Sequence, residues 1–241
     1  MNQSIQLKNV TKIYDGMQRA KALDQATLCI NPGEFTSIIG KSGSGKSTLL
    51  NMISCIDRPT EGEILFGDEK LHAYREAQLT KWRGENVGIV FQFFQLIPTL
   101  TILENIILPM DFNHKYVVNK RKTIALDLLY KAGISECADK LPCEISGGQQ
   151  QRAAIARSLA NNPSFIIADE PTGNLDTANA NSIINLFRTL SKEGTSVIMV
   201  THNNEIASCT DRVITISDGK IISDCKQKAE KRGNNEQKNN K

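Results

Sequence analysis

Four residues at fixed spacing, Gly40, Gly45, Lys46 and Ser47, fit the pattern G-x-x-x-x-G-K-[ST] within G-K-S-G-S-G-K-S-T, the stretch from Gly40 to Thr48. Glycines let the backbone through Lys41, Ser42, Gly43 and Ser44 curl until its N–H groups converge on phosphate oxygens. A helix starting near Lys46 would add its positive end. Lys46 would then reach β- and γ-phosphates, and the hydroxyl of Ser47 would hold Mg2+. The competing reading is a glycine-rich turn that happens to join a strand to a helix. Thr36 to Ile39 reads as a short buried strand and T-L-L-N-M-I from Thr48 as a helix, which favours the phosphate reading. A dinucleotide-binding turn fails, because Gly43 and Gly45 are not followed by a third glycine at the required place.

Further candidates lie in the second half of the chain. F-I-I-A-D-E, from Phe165, is an apolar strand closed by two carboxylates, Asp169 and Glu170. Asp169 at the strand tip can hold Mg2+ through water opposite Ser47, while Glu170 can orient or polarise an attacking water. On its own such an ending often marks only a soluble loop. S-G-G-Q-Q-Q-R, from Ser146, opens a helix with Ser146 as N-cap. Two glycines in a first turn cost roughly 1 kcal/mol each against alanine, so a close approach by phosphate explains Gly147 and Gly148 better than a plain cap. His202 follows an apolar strand in V-T-H; the choice there lies between a structural histidine and a γ-phosphate sensor.

The elements that must position these residues alternate. Ile5, Leu7 and Val10, then Ala26, Leu28 and Ile30, show strand periodicity and read as edge strands of an antiparallel layer. A helix after the loop runs to about Ser54, followed by a strand from Glu63 to Phe66, a helical stretch from Arg75 to Arg83, and a strand from Val87 to Phe91. Residues 93–162 have almost no strand signal; helices are expected over Thr101 to Ile107, Asn119 to Ala132 and Gln149 to Leu159. Strand and helix then alternate from Phe165 to Ile216, and Asp218-Gly219 is a hairpin turn. The reading is an α/β fold with a mainly parallel core sheet, an N-terminal antiparallel layer and an inserted helical subdomain. Residues 1–92 and 163–225 form the two parts of the core, 93–162 the subdomain, and 226–241 a disordered basic tail. Ligand belongs at the carboxyl ends of the strands, where Gly40, Gln92, Asp169 and His202 fall.

The net charge of +3 is carried by the tail: residues 226–241 hold six Lys/Arg and two Asp/Glu, so the preceding 225 residues come to −1. A body so balanced argues against a nucleic-acid-binding face made by bulk charge. Apolar runs of four or five residues are far short of the roughly 20 needed to cross a membrane, and the N-terminus lacks signal-peptide order. A soluble, cytosolic chain is expected. The six cysteines never approach C-x-x-C spacing and read as buried reduced thiols, Cys29 and Cys55 above all.

Taken together, these residues resemble the ATP-binding cassette family of ATPase subunits, over about residues 4 to 224. The resemblance rests on the loop at 40 to 48, Gln92 after a strand, I-S-G-G-Q from Ile145 to Gln149, Asp169 with Glu170, G-N-L-D from Gly173 to Asp176, and His202. It implies a phosphate-loop ATPase fold of that type. Tyr14 would stack on adenine, Lys46 and Ser47 would hold phosphates and Mg2+, and Gln92 would coordinate Mg2+ and couple to the helical subdomain. Ser146, Gly147, Gly148 and Gln149 would contact ATP bound by the opposite subunit, Glu170 would be the catalytic base and Asp176 part of the contact across the dimer. Lys41, where relatives often carry an uncharged residue, and Ile145 in place of leucine are the departures.

Such cassettes work as head-to-tail dimers sandwiching two ATP molecules, so one chain carries half of each site. The partner implied is a second copy or a homologous cassette. Within the family, residues 90–106, 146–152 and 169–176 resemble the macrolide-efflux, lipoprotein-release and antimicrobial-peptide-resistance group. There a separate cassette drives an integral membrane permease from the cytoplasmic face of a bacterial membrane, through the surface around Gln92 to Leu100. A division-type membrane complex, a soluble ATP-driven scaffold or a non-hydrolysing regulator are the alternatives.

Overall fold

A computed structural model describes residues 3–15 and 20–227. The disordered tail expected over 226–241 is corrected at its start, because Lys226 closes the last strand (Lys220–Lys226); from 228 onward it lies outside the described residues.

Two sheets divide the strands. β1 (Ile5–Tyr14), β2 (Ala20–Ile30), β4 (Glu61–Phe66) and β5 (Glu69–Lys70) form an antiparallel layer in the order β2-β1-β4-β5. Alternation along β1 and β2 puts Ile5, Leu7, Leu28 and Ile30 on one buried face. The expected pair of edge strands is corrected here: β2 is an edge, but β1 is flanked on both sides, pairing Ile5 with Ile30 of β2 and with Phe66 of β4. β4 returns to β1 only after β3 and a helix (Lys46–Ile53) intervene, and strand periodicity says nothing of such a distant partner.

The second sheet runs β10-β9-β3-β8-β7-β6, from β3 (Phe35–Ile39), β6 (Val87–Val90), β7 (Phe165–Asp169), β8 (Ser196–Val200), β9 (Arg212–Ser217) and β10 (Lys220–Lys226). β6, β7, β8, β3 and β9 are parallel, and β10 is antiparallel to β9. The apolar, continuously buried β7 and β8 suit a sheet covered on both faces, whereas β9 alternates and β10 is largely exposed. One face packs on the antiparallel layer, α1 (Lys46–Ile53) and α2 (Glu76–Asn86) through Ile38, Met52, Phe66, Trp82 and Phe165. The other packs on α6 (Thr177–Lys192) through Ile166, Val197, Ile183 and Phe187.

Between β6 and β7, α3 (Ile102–Asn113), α4 (Val118–Ala132) and α5 (Gly147–Ser158) gather around their own apolar cluster, with Ile106, Met110, Leu129 and Ala153 fully buried. Thr101 and Glu104 form a capping box at the start of α3, and Gly133 ends α4 in the left-handed conformation. Loop 93–101 and α5 join this cluster to the sheet. Short α7 (Asn204–Ser208) leads into β9, and the expected hairpin turn has both central residues at positive φ, Asp218 at 48° and Gly219 at 77°. All six cysteines are free, but only Cys55 and Cys137 are buried; Cys29 and Cys209 are half-buried and Cys143 and Cys225 exposed, which corrects the expectation of a uniformly buried set.

Candidate functional site

Strand register decides where the candidate residues meet. Ile38 of β3 pairs with Val200 of β8, and Val200 pairs with Asp169 of β7, so the three strand tips lie in one row. Val90 of β6 extends it by pairing with Ala168. The phosphate loop leaves from the end of β3, His202 from β8, Asp169 and Glu170 from β7 and Gln92 from β6. At about 4.8 Å per strand, Gly40 and Asp169 stand two strands, or about 10 Å, apart.

The loop is braced from outside. A Cβ on Gly40 would collide with the Ile216 carbonyl, and one on Gly45, at φ +104°, would lie 2.5 Å from the Ala22 carbonyl. The backbone N–H of Gly219, in the β9–β10 turn, donates to the Ser44 carbonyl at 3.0 Å. Gly43, at φ +77°, meets nothing within 4 Å of its would-be Cβ, so the space beside it is open. Lys46 Nζ donates to the carbonyls of Gly40 at 2.9 Å and Lys41 at 2.8 Å, holding its ammonium over the loop. Lys41, Ser42 and Ser47 are exposed, while Thr48 is half-buried in the first turn of α1. Ser44 is buried and its Oγ has no hydrogen-bond partner among the described residues.

At the far end of the row, Glu170 has φ +46°, an uncommon conformation for a side-chain-bearing residue. Its N–H donates to the Val200 carbonyl at 3.0 Å, which locks the turn. Nδ1 of His202 lies 3.1 Å from Glu170 Oε1, with the histidine 70% and the glutamate 25% exposed. Burial, and then the Glu170 charge, push the Asp169 carboxyl above its ordinary range, against the pull of Lys46. Two adjacent carboxylates under that strain are stabilised by a cation. Gln92 closes the group: a Cβ on Gly173 would sit 3.1 Å from its Nε2 and 3.6 Å from Glu170 Oε2, and Asn174 donates to its carbonyl at 3.2 Å.

The residues present fit a magnesium-bound polyphosphate. The open side at Gly43, the unpartnered Ser44 hydroxyl and the Lys46 ammonium suit phosphate oxygens. Ser47, Gln92 and Asp169 are hard oxygen donors of the kind Mg2+ takes. Among the described residues no three His, Cys, Asp or Glu side chains gather, so such an ion would draw its other ligands from phosphate and water.

Ser146–Gln149 opens α5. Ser146 caps α5, accepting from Gln149 N at 3.3 Å, while Ser146 N donates to Gln149 Oε1 at 3.0 Å. No hydrogen bond or ion pair among the described residues joins Ser146–Gln149 to Gly40–Thr48. The two glycines differ in what surrounds them. A Cβ on Gly148 would lie 2.6 Å from Asn179 Oδ1 of α6, and Asn179 Nδ2 donates to Asp176 Oδ2 at 2.6 Å, so a side chain there would have to displace an amide already held within the chain. Gly147 meets only the Phe94 ring, at 3.7 Å, and stays open. Asp176 caps α6, accepting from Asn179 N at 2.8 Å and Asn179 Nδ2 at 2.6 Å. The Asn179 N–H leads the interactions that lower its carboxyl below the usual range. Tyr14 lies 40% exposed at the end of β1, its hydroxyl donating to Asp57 Oδ2 at 2.9 Å.

With this geometry in place, the family profile described as ABC transporter matches residues 23–173. The chain belongs to the ABC transporter family. It is 47% identical over 222 residues to an ABC transporter ATP-binding protein of Methanocaldococcus jannaschii, MJ0796, covering 90% of this chain and 94% of that one. The dimeric, post-hydrolysis structure of that cassette with ADP and phosphate superposes with a TM-score of 0.85 at 43% identity, over 93% of this chain and 99% of that one. The lipoprotein-releasing system ATP-binding protein LolD of Aquifex aeolicus is 41% identical over 228 residues, 93% of this chain and 98% of that protein. The macrolide export ATP-binding/permease protein MacB of Hyphomonas neptunium is 41% identical over 221 residues, 91% of this chain but 34% of that protein. The α/β fold with a phosphate loop, the binding of ATP and its hydrolysis therefore belong to this cassette.

Sequence reasoning did not find several residues that shape the site. Gly219, Ala22 and Ile216 brace the loop, Asn174 holds Gln92, and Arg157 donates to the carbonyls of Phe94 at 3.0 Å and Gln95 at 2.5 Å. Burial lowers the pKa of that guanidinium, so it is a charge taken out of water to hold two carbonyls beyond Gln92. Nothing local in the sequence marks these contacts.

Proposed function

We propose that the chain works as one half of a head-to-tail cassette dimer at the cytoplasmic face of a bacterial membrane. It drives a separate integral membrane permease in the export or extracytoplasmic release of a hydrophobic or peptide-like substrate. The observation that carries the dimer is that the phosphate loop, Glu170, His202 and Gln92 share one sheet edge, while no hydrogen bond or ion pair among the described residues joins Ser146–Gln149 to that loop and Gly147 is left open. A second copy supplies the missing half. The superposition on a dimeric cassette supports this, and the lipoprotein-releasing and macrolide-export relatives support the export role.

In this reading Tyr14 stacks on adenine and Gly40–Thr48 enclose the phosphates, with Lys46 at the β/γ bridge. Ser47, Gln92 and Asp169 would hold magnesium, which when bound would supply positive charge against the phosphates. Glu170 takes the proton from a water aimed at the γ-phosphorus, and His202 keeps that carboxylate oriented through the 3.1 Å contact. Residues 93–162 move as a unit with Ser146–Gln149. Phe93, 71% exposed beside Gln92, lies on the face that meets the permease. Among the described residues no helix is long and apolar enough to cross a membrane, so attachment runs through that partner.

The test is a native pull-down of the tagged chain from detergent-solubilised membranes, with bound chains identified by mass spectrometry. Recovery of one multi-span permease is expected. Recovery of ribosomal proteins or nucleic acid instead would overturn the transport reading and leave ATP hydrolysis standing.

A further inference from the structure

The ring of Tyr14 is held from two directions by residues outside the phosphate loop. Besides accepting the tyrosine hydroxyl, Asp57 accepts from Lys12 Nζ at 2.7 Å on its other oxygen, Oδ1. The same ammonium donates to the Arg58 carbonyl at 2.9 Å and lies 4.8 Å from the Tyr14 ring centroid. Lys12 and Tyr14 are both on β1, whose register shifts between Lys12 and Ile13, and the cation contact shows that the two side chains meet. Asp57 belongs to the turn after α1, and that turn is itself fixed: Ile56 N and Asp57 N donate to the Asn51 carbonyl, and Thr60 N to the Thr11 carbonyl. Burial opposes charge on Asp57, but Lys12, the Arg58 N–H and Tyr14 outweigh it and hold its carboxyl below the ordinary range.

We propose that Asp57 and Lys12 are positioning residues for base recognition, a bracket that fixes the plane of Tyr14 and fills one ring face with a cation so that the other receives adenine. The proposal rests on the stacking reading of Tyr14 given above. A half-exposed tyrosine left to itself loses rotamer freedom when a base stacks on it, and a ring already held loses less. The ammonium draws electron density toward its own face, which leaves the opposite face better suited to an electron-rich purine. Lys46, Ser47 and Thr48 begin the helix that Asp57 follows, so the bracket also sets the base position relative to the phosphate loop. A purely architectural tie between β1 and the turn after α1 would treat all ligands of the loop alike. A bracket for the base would not.

The experiment measures dissociation constants of the full-length chain for Mg-ATP and for magnesium tripolyphosphate, with KM and kcat for each variant. Asp57→Ala is expected to weaken ATP about 3- to 10-fold and tripolyphosphate less than about twofold, with the loss in KM rather than kcat. Lys12→Met, which keeps the stem and removes the cation, weakens ATP about 2- to 5-fold. Tyr14→Phe removes only the hydroxyl; it should reproduce Asp57→Ala, and the two together should be no weaker than either alone. Should Asp57→Ala fail to fold, Tyr14→Phe decides. Equal losses for ATP and tripolyphosphate would overturn the bracket in favour of an architectural tie. Unchanged ATP affinity in Asp57→Ala and Tyr14→Phe, with a loss in Tyr14→Ala, would overturn the bracket and leave stacking intact. No loss in Tyr14→Ala would overturn both.

Discussion

Adding one methyl group at Gly147 separates helix stability from phosphate access. Gly147 is the first residue of α5, and among the described residues its added Cβ meets only Cζ of the Phe94 ring, at an ordinary 3.7 Å. Gly147→Ala therefore removes a glycine penalty of about 0.5–1 kcal/mol without a clash. For a chain of this length the melting temperature should rise by about 1–4 °C. The new methyl points into the open space where, in the proposed dimer, phosphate meets the first backbone N–H groups of the helix. Losing one charge-assisted hydrogen bond there costs about 1.5–3 kcal/mol, so ATPase activity should fall on the order of 10- to 100-fold. Gly148→Ala is the control, because its Cβ would lie 2.6 Å from Asn179 Oδ1 and 2.8 Å from Asn179 Cγ. Overpacking of about 1–3 kcal/mol then exceeds the gain in helix propensity, so this variant melts lower. Scanning calorimetry and a coupled phosphate-release assay measure both quantities on the same samples. A Gly147→Ala protein that melts higher and keeps its ATPase activity would refute close phosphate approach at this position.

Glu170→Gln preserves the shape beside His202 and removes the base; turnover should fall about 10²- to 10⁴-fold while equilibrium ATP binding persists, read by single-turnover and binding assays. Gly45→Ala forces a side chain onto φ +104° with its Cβ 2.5 Å from the Ala22 carbonyl; stability should drop by about 1–3 kcal/mol in urea unfolding, and ATP affinity should fall with it. Arg212 binds Asp224 through Nε at 2.6 Å and Nη2 at 2.5 Å, and Glu34 through Nη1 at 3.1 Å. The Arg212 hydrogen bond outweighs burial and lowers the Asp224 carboxyl, so this pairing stabilises the fold above its unfolded pKa of about 4 and is lost as pH falls through the lower folded value. Asp224→Asn should be less stable at pH 7 and show a shallower loss of stability below about pH 4 in denaturant titrations. Equal slopes for the two proteins would assign the acid sensitivity to other carboxylates.

What was legible in the sequence follows from the range of the interactions involved. The phosphate loop could be read because its chemistry is local: Gly40, Gly45, Lys46 and Ser47 act through backbone a few residues away, and Ser146 caps a helix through its own third neighbour. The parallel sheet could be read from apolar runs alternating with helices, and its register then places four separated strand tips at one edge. The bracing contacts span 43 residues between Tyr14 and Asp57 and 63 between Phe94 and Arg157, and neither end carries a pattern that names the other. Gly148 shows the limit most clearly. A glycine in a helix start reports that something comes close, and propensity prices the absence of a side chain without saying whose atom fills the space. At Gly148 that atom is Asn179 of the same chain; at the adjacent Gly147 the described residues leave room. Neighbouring glycines in one motif thus have different causes, one settled by packing within the cassette and one left for whatever docks against it. The pair of alanine substitutions distinguishes them because stability and turnover should move in opposite directions at Gly147, while the Asn179 clash lowers stability at Gly148.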